Sequence, residues 1–167
     1  MYKRQKIQSL GITDGTIVNA DINASAAIAS TKLSGSLGKV LQVLQATDGT
    51  QRTTTSTSFV TGSNTLSISI TPSSASNKVF ILANVNYVYG TGRVEFTVYR
   101  GATNLAPVTY FVADHAAVEM PVSLVYLDSP STTSATTYQI YWRVSSGTGY
   151  MNTVNALSTI HCLEIAG

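Results

Sequence analysis

The 167-residue chain has room for one self-stabilising domain of about 130 residues with an appendage. Only 11% of its residues are charged, against roughly 25% in ordinary soluble domains, while serine and threonine number 43; a surface built from hydroxyls suits extracellular or particle-borne β structure. Lys3, Arg4 and Lys6 supply more than the whole net charge of +2, leaving seven basic against eight acidic residues elsewhere, which speaks against a nucleic-acid-binding face on the main body.

The single cysteine, Cys162, excludes an intrachain disulfide and a cysteine-based metal site. No apolar run follows the opening MYKRQK, so no secretory leader is expected. No segment approaches the ~20 apolar residues of a membrane-spanning helix. The chain therefore reads as one made in the cytosol and held there until it is assembled or released.

Met1 to Lys6 is a basic arm, solvated or docked on a partner. From Ile7 to Leu33 the bulky aliphatic residues stand at Ile7, Ile12, Ile17, Ile22, Ile28 and Leu33, with Gly, Ala, Ser, Thr, Asn and Asp between them and Val18 as the other large aliphatic. An amphipathic helix needs apolar residues at i, i+3, i+4 and i+7, and a half-buried strand needs strict alternation; this stretch supplies neither. Apolar posts about every five residues suit a segment that orders by winding against copies of itself or by lying along another protein. Ser34 to Gly38 carries two glycines and marks the boundary, giving an N-terminal anchor or stalk of residues 1–37 and a head of residues 38–167.

Beyond the boundary the period becomes two. Lys39–Ala46 (KVLQVLQA) has apolar residues of both parities and predicts a strand covered on both sides; Asp48-Gly49 predicts a tight turn. Gln51–Val60, mostly threonine and serine, predicts a polar edge strand. Asn64–Thr71 places Leu66, Ile68 and Ile70 on one face, and Lys78–Tyr89 (KVFILANVNYVY) is the longest apolar strand and the expected centre of a sheet. Gly90-Thr91-Gly92 predicts a hairpin turn into Arg93–Arg100, where Val94, Phe96 and Val98 oppose Glu95, Thr97 and Tyr99. A hairpin turn at Gly101–Asn104 leads to a strand over Ala106–Ala113. Val118–Leu127 follows, and its Pro121 predicts an edge or a bulge. Thr136–Ser145 turns Tyr138, Ile140, Trp142 and Val144 to one face; a short strand over Tyr150–Val154 and a last one over Ser158–Ile165 close the chain. Nine or ten short strands with evenly spaced turns and no helical period predict an all-β, jelly-roll-like antiparallel β-sandwich preceded by a short extended N-terminal stalk or anchor.

Chemistry is sparse. Asp114, His115 and Glu119 form the one local acid–histidine cluster, but neighbours in a turn need not face each other, and no nucleophile accompanies them. His161 and Cys162 are adjacent in a strand and project to opposite faces, so they form no thiolate–imidazole pair; Cys162 reads as a buried thiol. No P-loop, G-x-S-x-G or G-x-G-x-x-G motif occurs. No catalysis, metal or cofactor is expected. Most of the nine tyrosines fall in strands, where they serve packing and subunit contacts. Tyr150, with Arg143 near it in sequence, has two readings: core packing, or part of a glycan-binding surface.

The segment DGTIVNADINASAAIASTKLSG, with Asp14-Gly15-Thr16-Ile17, Ala20-Asp21-Ile22 and Ala26-Ala27-Ile28-Ala29 as its clearest units, resembles the N-terminal segments of bacteriophage fibre and spike proteins. TLSISITPSSASNKVFILANV and the all-β remainder are similar, less specifically, to phage fibre heads. The resemblance covers about a quarter of the chain. It implies a virion structural protein, a homotrimer whose N-terminal segment docks on tail or capsid proteins while the head projects outward to meet a host-surface glycan or protein. A capsid decoration protein or head fibre is the alternative, and a soluble carbohydrate-binding module a further one.

Overall fold

Residues 39–106, 111–113 and 119–167 are described by the computed structural model. The basic arm, the apolar posts from Ile7 to Leu33, the Ser34–Gly38 boundary and the Asp114–His115 turn lie outside the described residues.

Period-two patterning produces twelve strands among the described residues: β1 (Val40–Asp48), β2 (Arg52–Thr54), β3 (Val60–Thr61), β4 (Ser67–Ile70), β5 (Lys78–Gly90), β6 (Val94–Arg100), β7 (Thr103–Asn104), β8 (Phe111–Ala113), β9 (Met120–Asp128), β10 (Thr136–Val144), β11 (Gly149–Met151) and β12 (Ser158–Ile165). All the pairings are antiparallel. One sheet runs β1–β12–β5–β9, extended by β2 and β11. The other runs β4–β10–β6–β8, with β3 also on β10 and β7 also on β6. The chain thus alternates between sheets at β1/β4, β5/β6, β8/β9 and β10/β12, the strand order of a jelly roll. The expected all-β sandwich is the observed architecture.

Alternation decides what the sandwich encloses. Leu66, Ile68 and Ile70 beside and in β4, Val79, Ile81, Ala83, Val85 and Val88 of β5, Val94, Phe96 and Val98 of β6, Tyr138, Ile140, Trp142 and Val144 of β10, and Ile160 and Cys162 of β12 are buried between the sheets. Phe96 and Trp142 stack with ring centroids 5.8 Å apart and fill the centre. Burial pushes the Cys162 thiol up to about 12, so it stays protonated and unreactive at neutral pH.

Polar side chains close the ends of the sandwich. At the end of β9, Asp128 accepts from Arg100 Nη1 at 2.8 and 2.9 Å and from the Tyr138 hydroxyl at 2.6 Å, tying one sheet to two strands of the other. In β12, Glu164, 1% exposed, accepts from the Ser73 backbone N–H and hydroxyl at 2.7 and 2.8 Å and from the Gln42 and Asn77 amides at 2.5 Å. It anchors the β4–β5 loop under the first sheet.

Four expectations change. β1 is covered on one side only: Leu41 is 43% and Val43 57% exposed, because the core lies under one face of the sheet. The Gln51–Val60 stretch is two short strands in different sheets. Between them the Thr54 and Ser56 hydroxyls accept from the backbone N–H groups of Ser56 and Ser58, a local alternative to ladder pairing. The last short strand ends at Met151 and is followed by a single 3-10 turn, Thr153–Asn155.

Gly90-Thr91-Gly92 joins opposite sheets and is a corner, not a hairpin. A Cβ on Gly90 would stand 2.7 Å from both Gly92 O and a Val94 methyl. Gly90→Ala is therefore expected to cost about 2 kcal/mol, measured by denaturant unfolding; a loss below about 0.5 kcal/mol would mean the corner opens without strain.

Pro121 does sit on an edge strand, opposite a bulge: between Val85↔Val122 and Val88↔Met120 the register of β5 on β9 shifts, and Tyr87 takes φ 47° there.

Candidate cleft between the edge strands

β2 and β3 are consecutive in the chain and belong to opposite sheets, so the sandwich is open where the chain crosses between them. A cleft of about 340 Å³ occupies this opening. Gln51, Arg52, Thr53 and Thr54 form one wall; Val60, Thr61, Gly62, Ser63 and Asn64 form the other, and Trp142 lies at the floor.

Local hydrogen bonding fixes the first wall. The Asp48 carboxylate accepts from the Thr50 N–H at 2.9 Å, an Asx turn, and from Arg52 Nε at 3.1 Å. Burial pushes the Asp48 carboxyl up, but hydrogen bonds from Ser63, Arg52 and the Thr50 backbone, with the Arg52 charge, hold it below the usual carboxylate range. Behind this wall Asn152, fully buried in the left-handed conformation that asparagine tolerates, donates to Asp48 O at 3.0 Å and Thr50 O at 3.1 Å and accepts from the Ser158 hydroxyl. Asn152 N–H in turn donates to Asn86 O at 3.0 Å, so the wall is fastened to β5.

The second wall is held by Gly62 N–H donating to Ile140 O at 2.9 Å, by Gln139 Nε2 donating to Ser63 O at 3.2 Å, and by the Ser63–Thr65 hydroxyl pair at 2.6 Å. A Cβ on Gly62 would approach Ile140 O to 3.2 Å, so this wall or β10 would have to give by a few tenths of an ångström.

Exposed Gln51, Thr53, Thr61 and Asn64 therefore present amides and hydroxyls on a rigid frame, with one guanidinium among them. Such a set exchanges hydrogen bonds with a polyhydroxylated ligand and offers no nucleophile–base pair for chemistry. Among the described residues no three His, Cys, Asp or Glu side chains come together as a metal site.

Tyr150 and Arg143, read together from sequence, lie in different sheets. Tyr150 in β11 stacks on Tyr89 with centroids 4.5 Å apart and planes 7° apart, and pairs in register with Thr53 of the cleft wall. Arg143 in β10 lies over the Phe59 ring, 4.6 Å from its centroid. Its Nε reaches Glu95 Oε2 at 2.5 Å, while Arg93 Nε reaches Glu95 Oε1 at 2.7 Å. Glu95 faces away from the core, as its parity predicts, yet it is 1% exposed beneath those two guanidiniums. The cleft residues themselves were not singled out by sequence reasoning; a threonine-rich run ending in Gly62-Ser63-Asn64 was their only signal.

The site is a polar cleft at the open edge of a jelly-roll sandwich. The architecture is shared by viral capsid and lectin domains and does not by itself select a function. No protein-family profile and no curated protein matches the chain. Among solved structures it is similar to two of infectious bursal disease virus. One is of the Gx strain, at 14% identity over 75% of this chain and 32% of that one; the other is of the VP2 subviral particle, at 17% identity over 75% and 33%. The TM-score is 0.46 for each. The chain spans about a third of the length of those structures' chains. No helix among the described residues is long and apolar enough to cross a membrane.

Proposed function

We propose that this chain is a bacteriophage virion structural protein: a short trimeric fibre or spike that serves host attachment. Residues 1–37 dock it on the particle through the posts Ile7, Ile12, Ile17, Ile22, Ile28 and Leu33, with Lys3, Arg4 and Lys6 as a basic tip; residues 38–167 are the projecting head. The observation that carries this reading is the DGTIVNADINASAAIASTKL segment standing directly ahead of a jelly-roll sandwich. The cleft supports the attachment role, because fixed hydroxyls, amides and one arginine match the donors and acceptors of a surface polysaccharide.

The test applies purified full-length chain to a panel of immobilised bacterial surface polysaccharides, beside an Arg52→Ala/Asn64→Ala variant. Loss of a charged and a neutral hydrogen-bonding partner is expected to weaken binding at least about tenfold while the thermal midpoint stays within a few degrees. Absence of wild-type binding to every polysaccharide, with antibody labelling of the chain on the capsid shell, would replace attachment with capsid decoration. Undiminished binding by the variant would move the contact away from the cleft.

A further inference from the structure

The outward face of the first sheet carries one wholly apolar row that runs from edge to edge. Register places Val43 beside Leu163, Leu163 beside Phe80, and Phe80 beside Leu127, one continuous row across all four strands. The next row runs Gln45, His161, Leu82 and Val125 by the same pairings. Val43, Leu82, Val125 and Leu127 are 57%, 41%, 50% and 52% exposed. Neither row holds an Asp, Glu, Lys or Arg. His161 adds a buried Nδ1 with no hydrogen-bond partner. The outward face of the second sheet is different in kind, carrying Arg143 with Glu95, Thr97 with Tyr141, and Gln139 with Tyr99.

We propose that this apolar face is where one copy of the chain packs against the next, an inference that rests on the trimeric reading above and names its surface. Three observations select a second copy as the occupant. The two rows carry no formal charge, and Lys78 stands at the rim in the row beyond Phe80, so packing them against a neighbouring copy costs no ionic desolvation. Its size is marginal: four strands about 4.8 Å apart and about six residues at about 3.3 Å each give roughly 400 Å², near the largest apolar patch an ordinary monomer carries and about half of what each partner contributes to a standard interface.

Such a face associates weakly alone and firmly when its copies are tethered. The tether is present in the sequence: residues 1–38, with their aliphatic posts, lead directly into β1. β1 carries Val43 of this patch at the sheet edge. Any self-association of that segment gathers the β1 strands of neighbouring copies.

The experiment uses the full-length chain with single substitutions Val125→Cys on the face and Ser134→Cys on the exposed β9–β10 loop; the native Cys162 thiol is buried. Light scattering fixes the oligomeric state, and the labelling rate with a small maleimide is then compared at the two sites. The expected result is an oligomer in which the thiol at position 125 reacts at least tenfold more slowly than that at position 134. A Leu82→Glu/Val125→Glu variant is expected to weaken association at least tenfold with an unchanged circular dichroism spectrum. An oligomer labelled equally fast at both sites would overturn this surface and leave the trimer standing. A monomer at every concentration would overturn the trimer, and the surface with it.

Discussion

Asp128→Ala is expected to destabilise the head by about 4 kcal/mol. The carboxylate joins the end of β9 to Arg100 of β6 and Tyr138 of β10 in the facing sheet. Its removal cancels three charge-assisted hydrogen bonds and strands a hydroxyl on a fully buried ring; a buried donor left unmade costs about 1–3 kcal/mol and a broken buried pair about 3–5. Arg100, with 30% of its side chain exposed, can turn to water, which keeps the total at the lower end. Burial, helped by the neighbouring Asp128, pushes the Tyr138 hydroxyl far above its usual range, so it remains a donor at any working pH. Tyr138→Phe removes one bond of the three and should cost about 1.5 kcal/mol. Urea unfolding of both single variants and the double variant gives the coupling; additive losses would show that the two residues do not share the tie.

The second large effect is acid loss of stability through Glu164. Burial pushes its carboxyl up, but the hydrogen bonds from Gln42, Asn77 and the Ser73 hydroxyl and backbone N–H outweigh it and hold the group at about 2, against an ordinary 4.5. A carboxyl depressed in the folded state contributes its full stability above the unfolded value and loses it as pH falls through the folded one. At roughly 1.4 kcal/mol per unit, the contribution is about 3 kcal/mol, present above about pH 4.5 and gone near pH 2. Unfolding free energies measured from pH 6 to pH 2 should fall by that amount in the wild type. The Glu164→Gln curve should start lower and be flatter over the same range. Parallel curves would assign acid sensitivity to other carboxylates.

How much of this was legible in the sequence depends on where each residue's partners lie. β4, β6 and β10 alternate cleanly between the core and another environment, and their inward sets (Leu66, Ile68 and Ile70; Val94, Phe96 and Val98; Tyr138, Ile140, Trp142 and Val144) are those expected from parity. β1 misled because its second apolar parity has no cover among the described residues: Leu41 and Val43 stand exposed on the outward face. The Thr/Ser run over 51–60 looked like one strand because hydroxyl residues suit strands and local turns alike. Only the crossing from one sheet to the other separates β2 from β3.

The cleft was hidden for the same reason. Its walls come from the two sides of that crossing, its framing residue Asp48 is far in sequence from Asn152 and Ser158, and each alone reads as an ordinary turn residue. Tyr150, read from sequence as core packing or a glycan-facing aromatic, is half-buried and stacks on Tyr89 of β5. Arg143 is engaged with Glu95 and Phe59 in the other sheet.

The central claim, a short fibre whose N-terminal segment gathers the heads, is tested most directly by the solution mass of the full-length chain beside a truncation beginning at Gly38. The full-length protein is expected to have about three times the 17.7 kDa mass of one chain at micromolar concentration. The truncated head should be monomeric there, because its apolar face covers only about half a standard interface. A full-length protein that stays monomeric at every concentration would contradict it.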